Sequence, residues 1–196
     1  LYKGKGNDTM KIDKRKKYIM VLDVETTNNI MEKGAKNDGL EYDIGFVICD
    51  KKGNIYAKRS FAIKEIFDWK ELMATAYYKN KLPKYYERLK QKKIEKISIW
   101  EVRKRIAKAI EYFNIQEVYA YNANFDYTTL NNTVRYLSGS GCRWFFPCSV
   151  EICDIWHIAC QTICKQKTFQ YENIRNDNDN LITNAERVYS YCEQIN

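Results

Sequence analysis

Hydrophobic and polar positions along the first third of the chain follow the two-residue period of strands. The apolar run at residues 18–22 predicts a buried strand. Two further β-rich runs, 42–50 and 55–63, flank the turn sequence KKGN and predict an antiparallel hairpin. Residues 28–41 are rich in Asn, Gly and Lys and predict a loop between the first strand and the hairpin.

Helical spacing dominates the rest of the chain, interrupted by short strand-like runs. Residues 64–93 predict two helices separated at Pro83, and Ser98 with Glu101 forms a capping box ahead of apolar residues at helical spacing. Strands followed by alternating strands and helices predict an α/β domain with a mixed sheet flanked by helices. The remaining predicted elements are a strand at 117–121, a helix at 125–137, a strand at 148–153, a helix at 154–164, a loop at 173–180 and a capped helix at 183–192.

Length and composition are those of one globular domain with an anionic partner. The chain has 196 residues, of which 45% are hydrophobic, and a net charge of +8. We interpret residues 1–9 as linker or expression-derived residues and 10–196 as a single domain. Seven irregularly spaced cysteines predict free thiols in a cytoplasmic protein. The sequence has no apolar run of the roughly 20 residues that cross a bilayer, so we expect no membrane partner.

Acidic residues stand where the predicted strands end. Asp23 and Glu25 are two residues apart in a strand and therefore point the same way, where they repel each other unless a cation lies between them. Asn122 and Asp126 straddle a strand end and a helix start, from which Asp126 could approach the first pair. Carboxylates converging from two segments are typical of a Mg²⁺ or Mn²⁺ site, and two such ions can drive phosphodiester hydrolysis.

These motifs resemble a known family. VLDVETT at 21–27 and NANFDYTTL at 122–130 resemble the D-x-E and N-x-x-x-D motifs of the DEDD, or DnaQ-like, exonucleases. The resemblance implies a ribonuclease H-like fold and 3′-to-5′ exonucleolytic hydrolysis of single-stranded DNA or RNA with two Mg²⁺ or Mn²⁺ ions. It further implies these site residues: Asp23, Glu25 and Asp126 as metal ligands, Asn122 supporting Asp126, Thr26 and Thr27 lining the terminal nucleotide, and Phe125 packing beneath the site or touching a base.

The chain departs from the family at its third motif. That motif is H-x-x-x-x-D or Y-x-x-x-D, and the only histidine, His157, is followed by residues 158–162 without the required Asp. A sequence cut short, a motif supplied by another chain and a disabled nuclease are the three explanations, of which we favour truncation at the C-terminal end. A catalytically inactive nucleic-acid-binding module is the main alternative function, and a scaffold with purely structural acids is a weaker one. A proofreading role would require a polymerase partner.

Three further groups of residues leave alternatives open. Asp154 is interpreted as a helix N-cap rather than a stand-in ligand. A zinc site is disfavoured because no C-x₂-C pair is present among Cys142, Cys148, Cys153, His157, Cys160 and Cys164. The run from Lys79 to Lys96 is either a solvated face or, with Tyr77, Tyr78, Tyr85 and Tyr86, a track for nucleic acid.

Overall fold

The fold was analysed in a computed structural model, which describes residues 12–28 and 39–156. Three strands come first along this part of the chain, followed by a group of short helices and then by alternating strands and helices. The strands are β1 (Tyr18–Thr26), β2 (Glu41–Asp50), β3 (Ile55–Ile63), β4 (Glu95–Ile97), β5 (Glu117–Ala120) and β6 (Glu151–Asp154). The helices are α1 (Lys64–Phe67), α2 (Lys70–Met73), α3 (Leu82–Lys90), α4 (Ile99–Phe113) and α5 (Ala123–Ser138), with a 3₁₀ turn at Lys79–Lys81.

The described strands form one mixed sheet in the order β4-β3-β2-β1-β5-β6. The predicted hairpin is confirmed, because β2 pairs antiparallel with both β1 and β3. β5 and β6 continue the sheet in parallel on the other side of β1. The carboxyl ends of β1, β5 and β6 therefore lie at the same edge of the sheet, where side chains from separate segments can meet.

The core lies between this sheet and the amphipathic helices. Alternate residues of β1, among them Met20 and Leu22, are buried in one cluster with residues of α4 and α5. Ile106 and Phe113 in α4 and Val134 in α5 belong to that cluster, as the helical spacing predicts. Burying this face fixes α5 against β1 and so determines where its first turn lies.

The turn between β2 and β3 shows why the hairpin could be predicted. Gly53 has a φ of 90°, a conformation that favours glycine, and its N–H donates to the Asp50 carbonyl at 3.1 Å. The Asp50 carboxylate accepts hydrogen bonds from the N–H groups of Lys52 at 2.9 Å and Asn54 at 3.1 Å. Turn residues with these local bonds carry their signal in the sequence itself.

The segment between β3 and α4 differs from the prediction. Instead of two helices separated at Pro83, it contains the short α1 and α2, the 3₁₀ turn and then α3, which has Pro83 in its first turn. Strand β4 was not predicted, since only three of its residues pair with β3 and three residues are too few to show an alternation of apolar and polar positions. The Ser98 cap is confirmed, because its hydroxyl oxygen accepts the Glu101 N–H at 3.2 Å.

Several sequence predictions lie outside the described residues. These are the loop and helix after residue 156, the second capping box, and the histidine and cysteines at 157, 160 and 164. Within the described part of the chain, no helix has the length and apolar character that a membrane crossing requires. Among the cysteines of this part of the chain, those at 142, 148 and 153 are free thiols, as predicted.

Candidate active site

The D-x-E pair lies at the carboxyl end of β1, in the centre of the sheet. Asp23 is opposite Gly45 of β2, and Glu25 is opposite Asp43. Directly paired residues of antiparallel strands lie on the same face of the sheet, so the side chains of Glu25 and Asp43 are neighbours on that face. Glu25 is buried and Asp23 is half-buried. The structure thus places both predicted ligands on one face, as the two-residue spacing requires.

Asp126 reaches the same place from the first turn of α5. Asn122 precedes the helix in a left-handed conformation with φ of 57°, which Asn tolerates better than most residues and which turns the chain from β5 into α5. Asp126 is only 4% exposed, and its carboxylate lies close to the backbone N–H of Val24, the residue between Asp23 and Glu25. Burial and the charge of Asp23 raise the pKa of Asp126 well above its usual value. The carboxylates from two distant segments are therefore brought together.

Two further acids at the start of β2 join this group, and sequence analysis missed both. Glu41 and Asp43 are fully buried. Burial, followed by the charges of Asp126, Asp43 and Asp23, raises the pKa of Glu41 well above its usual value. Burial also raises the pKa of Asp43 to about 8, although the nearby Tyr85 hydroxyl lowers it and the Ser60 hydroxyl donates to its Oδ1 at 3.4 Å. The available signal was their spacing, since two acids at i and i+2 in a strand repeat the pattern of β1.

A further acid, Asp154, lies at the end of β6 and close to Asp126. Its Oδ1 accepts the N–H of Trp156 at 2.9 Å, which is the predicted N-cap geometry, and the N–H of Asn122 at 3.1 Å. Its charge also contributes to the raised pKa of Asp126, after burial and Asp23. Asn122 thus supports the site through its backbone, by tying the start of α5 to Asp154, while its side chain faces solvent.

The donor set suits a hard divalent cation. The side chains of four residues offer only carboxylate oxygens, namely Asp23, Glu25, Asp126 and Glu41. Both side-chain oxygens of the buried Glu41 lack a hydrogen-bond partner in the part of the chain that the structure describes. Among residues 12–28 and 39–156, however, no three Asp, Glu, His or Cys side chains are already arranged as a metal site. The chemistry of the donors therefore fits Mg²⁺ or Mn²⁺, whereas the ligand geometry is not formed.

The two threonines after the D-x-E pair have different surroundings. Thr27 is buried, and its hydroxyl donates to the Leu40 carbonyl at 3.0 Å and accepts the Leu40 N–H at 3.2 Å. Thr26 is half-buried, and its carbonyl accepts the N–H of Tyr77 at 3.1 Å. Because the Thr27 hydroxyl is committed to Leu40, only Thr26 remains suited to line a bound nucleotide.

Exposed aromatic rings flank the acids. Phe125, immediately before Asp126, is 50% exposed and so does not pack beneath the site. Tyr77 is 62% exposed and is held beside the end of β1 by its bond to Thr26 and by the bridge between Thr27 and Ala76. In the sequence Tyr77 belongs to the group of tyrosines near the Lys-rich run. Its position beside β1 was not predicted, because the bridge between Thr27 and Ala76 joins segments that are distant in sequence. Of the other tyrosines in that group, Tyr85 belongs to the core.

The six-stranded mixed sheet with flanking helices defines an α/β protein of the ribonuclease H-like fold. Comparison with solved structures agrees: the chain is similar to exonuclease I in its product-bound form, with a TM-score of 0.54 and 12% identity. The match covers 91% of this chain and 44% of exonuclease I, so the chain spans less than half the length of that protein. At this identity the similarity establishes the fold alone.

A second solved structure shows a weaker similarity. The family B DNA polymerase from the hyperthermophilic archaeon Pyrobaculum calidifontis aligns with a TM-score of 0.39 and 12% identity, over 74% of this chain and 16% of the polymerase, which is too low to carry an argument. No protein-family model and no curated protein sequence matches the chain.

Proposed function

We propose that this protein is a 3′-to-5′ exonuclease that hydrolyses single-stranded DNA or RNA with the help of Mg²⁺ or Mn²⁺. The observation that carries the proposal is the buried Asp126, which the first turn of α5 places beside Val24, the residue between Asp23 and Glu25. A site of this kind on a ribonuclease H-like sheet supports nuclease chemistry. The D-x-E and N-x-x-x-D motifs, which resemble the first two motifs of the DEDD exonucleases, support its exonucleolytic form.

In this proposal the acids hold the cations and the neighbouring residues hold the nucleic acid. Asp23, Glu25 and Asp126 would bind the metal, which supplies Lewis-acid activation of a water and stabilisation of the leaving oxygen. Thr26 lines the terminal nucleotide, and the exposed rings of Phe125 and Tyr77 stack on bases. Asn122 orients the start of α5 through its bond to Asp154. The products would be nucleoside monophosphates.

The net charge of +8 supports an anionic substrate. Association with a polymerase would add a proofreading role, and it stays a prediction. The inactive nucleic-acid-binding module remains the competing function, because the described residues contain no preformed three-ligand metal group.

The test is digestion of 5′-labelled single-stranded DNA and RNA in Mn²⁺ or in EDTA. We expect a ladder that shortens from the 3′ end in Mn²⁺, that disappears in EDTA and that is lost in Asp23→Ala. Glu111→Ala is the matched control, since Glu111 is an exposed acid on α4, and it should cleave like the unmodified chain. Intact substrate from a folded chain that still binds it would identify the inactive binding module instead.

A further inference from the structure

Glu41 is held at the point where the end of β1 meets α5. It is the first residue of β2 and is opposite Thr26, just past an irregularity in the register between Glu25 and Thr26. Its backbone N–H donates to the Thr133 hydroxyl of α5 at 3.0 Å, and that hydroxyl donates in turn to the Thr129 carbonyl at 2.9 Å. Glu41 is therefore fixed by both the sheet and the helix that carries Asp126.

The Glu41 side chain is buried without any compensating hydrogen bond. It is 0% exposed, and among residues 12–28 and 39–156 neither Oε1 nor Oε2 has a hydrogen-bond partner. Asp50, at the other end of the same strand, shows the usual solution: its carboxylate accepts bonds from backbone N–H groups and from the Tyr56 hydroxyl at 2.7 Å. A buried carboxylate without such donors is strongly destabilising unless a positive charge compensates it.

The charges around Glu41 make the absence of a donor more costly. The strongest acting on it are those of Asp126 from α5, Asp43 from β2 and Asp23 from β1, and all three are negative. Asp126 and Asp23 are also two of the three proposed ligands of the cation. A divalent cation bound between them would turn the surroundings of Glu41 from repulsive to attractive.

We propose that Glu41 is a further carboxylate of the cation site, whose negative charge strengthens the binding of a divalent metal ion by Asp23, Glu25 and Asp126. This inference rests on the proposed function for the presence of the cation, and it adds a charged group that the sequence motifs do not contain. Its contribution acts through charge at the metal, so it needs no preformed ligand geometry.

The experiment measures Mn²⁺ binding by calorimetry and thermal unfolding with and without Mn²⁺, for the full chain and for Glu41→Gln. Glutamine keeps the size of the side chain and removes its charge. In EDTA we expect Glu41→Gln to unfold at the same temperature as the unmodified chain or higher. We expect its Mn²⁺ dissociation constant to rise about tenfold or more, with a smaller Mn²⁺-induced shift in Tm.

Asp50→Asn is the matched control, because it changes a buried acid of the same strand whose oxygens are already satisfied. It should lower Tm in EDTA and leave Mn²⁺ affinity unchanged. Glu41→Met provides a second, uncharged variant with the same expected loss of affinity. If Glu41→Gln binds Mn²⁺ within twofold of the unmodified chain, or if neither Glu41 variant folds, the inference is overturned and Glu41 is a structural residue.

The same measurements separate this inference from the proposed function. An unmodified chain that binds no Mn²⁺ and cleaves no substrate contradicts the proposed function and the inference together. Loss of Mn²⁺ binding and cleavage in Asp23→Ala, with Glu41→Gln unchanged, contradicts only the inference. Loss of Mn²⁺ affinity in both variants supports both.

Discussion

The buried carboxylate of Asp126 depends on contacts beyond its own helix. An isolated carboxylate buried to this degree is destabilising, and the first turn of a helix offsets only part of that through its N–H groups. The Asp126 carboxylate lies close to the N–H of Val24 in β1 as well as to the N–H groups of its own helix. This geometry favours a functional role over simple helix capping, because a capping Asp could remain in solvent.

Phe125 and Tyr77 provide a test of how the substrate is held. Stacking of a base on an aromatic ring contributes about 1 to 3 kcal/mol, so Phe125→Ala and Tyr77→Ala should each raise KM for single-stranded substrate about fivefold or more. The value of kcat should change little, because neither ring belongs to the cation site. Steady-state cleavage of a labelled oligonucleotide measures both constants.

The control for the stacking prediction is Tyr112→Ala, which removes an exposed ring on α4 that packs against Phe113. Its KM should equal that of the unmodified chain. Equal KM values for all three alanine variants would show that the rings beside the acids do not contact the substrate.

The end of β1 depends on close packing with the start of β2. A Cβ atom at Gly39 would lie 2.1 Å from the backbone oxygen of Thr27, a distance at which the backbone must move. Gly39→Ala should therefore displace the end of β1, lower Tm by about 2 to 10 °C and reduce metal-dependent cleavage. Thermal unfolding and the cleavage assay test the two effects.

Gly141 offers a matched comparison, because a Cβ there would have no atom within 4 Å. Gly141→Ala should keep both Tm and cleavage. A Gly39→Ala chain as stable and as active as Gly141→Ala would mean that this close approach does not position the end of β1.

Local signals made much of the fold predictable. The apolar run of β1, the Gly53 turn and the Ser98 cap each involve neighbours in sequence, and the structure confirms all three elements. Strand β4 was missed because three partly exposed residues form a strand only where β3 is available to pair with them. Elements that depend on a distant partner leave a weak local pattern.

The residues of the candidate site were likewise predictable only where the signal is local in sequence. The D-x-E pair and Asp126 could be found because their spacing indicates one face of a strand and the start of a helix, and the structure brings them together. Glu41 and Asp43 repeat the two-residue spacing of the D-x-E pair, but that spacing does not reveal that both are buried. Tyr77 could not be placed, since its position depends on long-range pairing. An acid in an apolar strand is read as an exposed residue of a half-buried sheet until the packing of α5 is known.

The buried acids give the whole molecule an unusual dependence on pH. Burial raises the pKa of Asp43 from 3.8 to about 8, and it raises the pKa values of Glu41 and Asp126 as well. Between about pH 4 and pH 8 the native state then holds protons that the unfolded chain has released, so stability falls as pH rises. The slope is at most about 1.4 kcal/mol per pH unit for each such group.

The contribution of Asp50 to stability has the opposite dependence on pH, and it changes at lower pH. Hydrogen bonds from Tyr56 and Asn54 outweigh the burial that raises its pKa, and the net result is a pKa well below the usual value. Its contribution to stability is present above the ordinary carboxyl pKa and is lost as the solution becomes more acidic. Without metal, the protein should therefore be most stable near about pH 4, where both effects are smallest.

Divalent cations should reverse the trend on the alkaline side, because they compete with protons for the same carboxylates. We expect Tm in EDTA to fall between about pH 5 and pH 8, and the increase in Tm caused by saturating Mn²⁺ to grow over the same range. Asp43→Asn should flatten the EDTA curve, since one of the groups that changes protonation is removed. A Tm in EDTA that rises up to pH 8 would show that these carboxyls ionise normally in the folded protein, so that the acids at the end of β1 repel each other too weakly to require a cation.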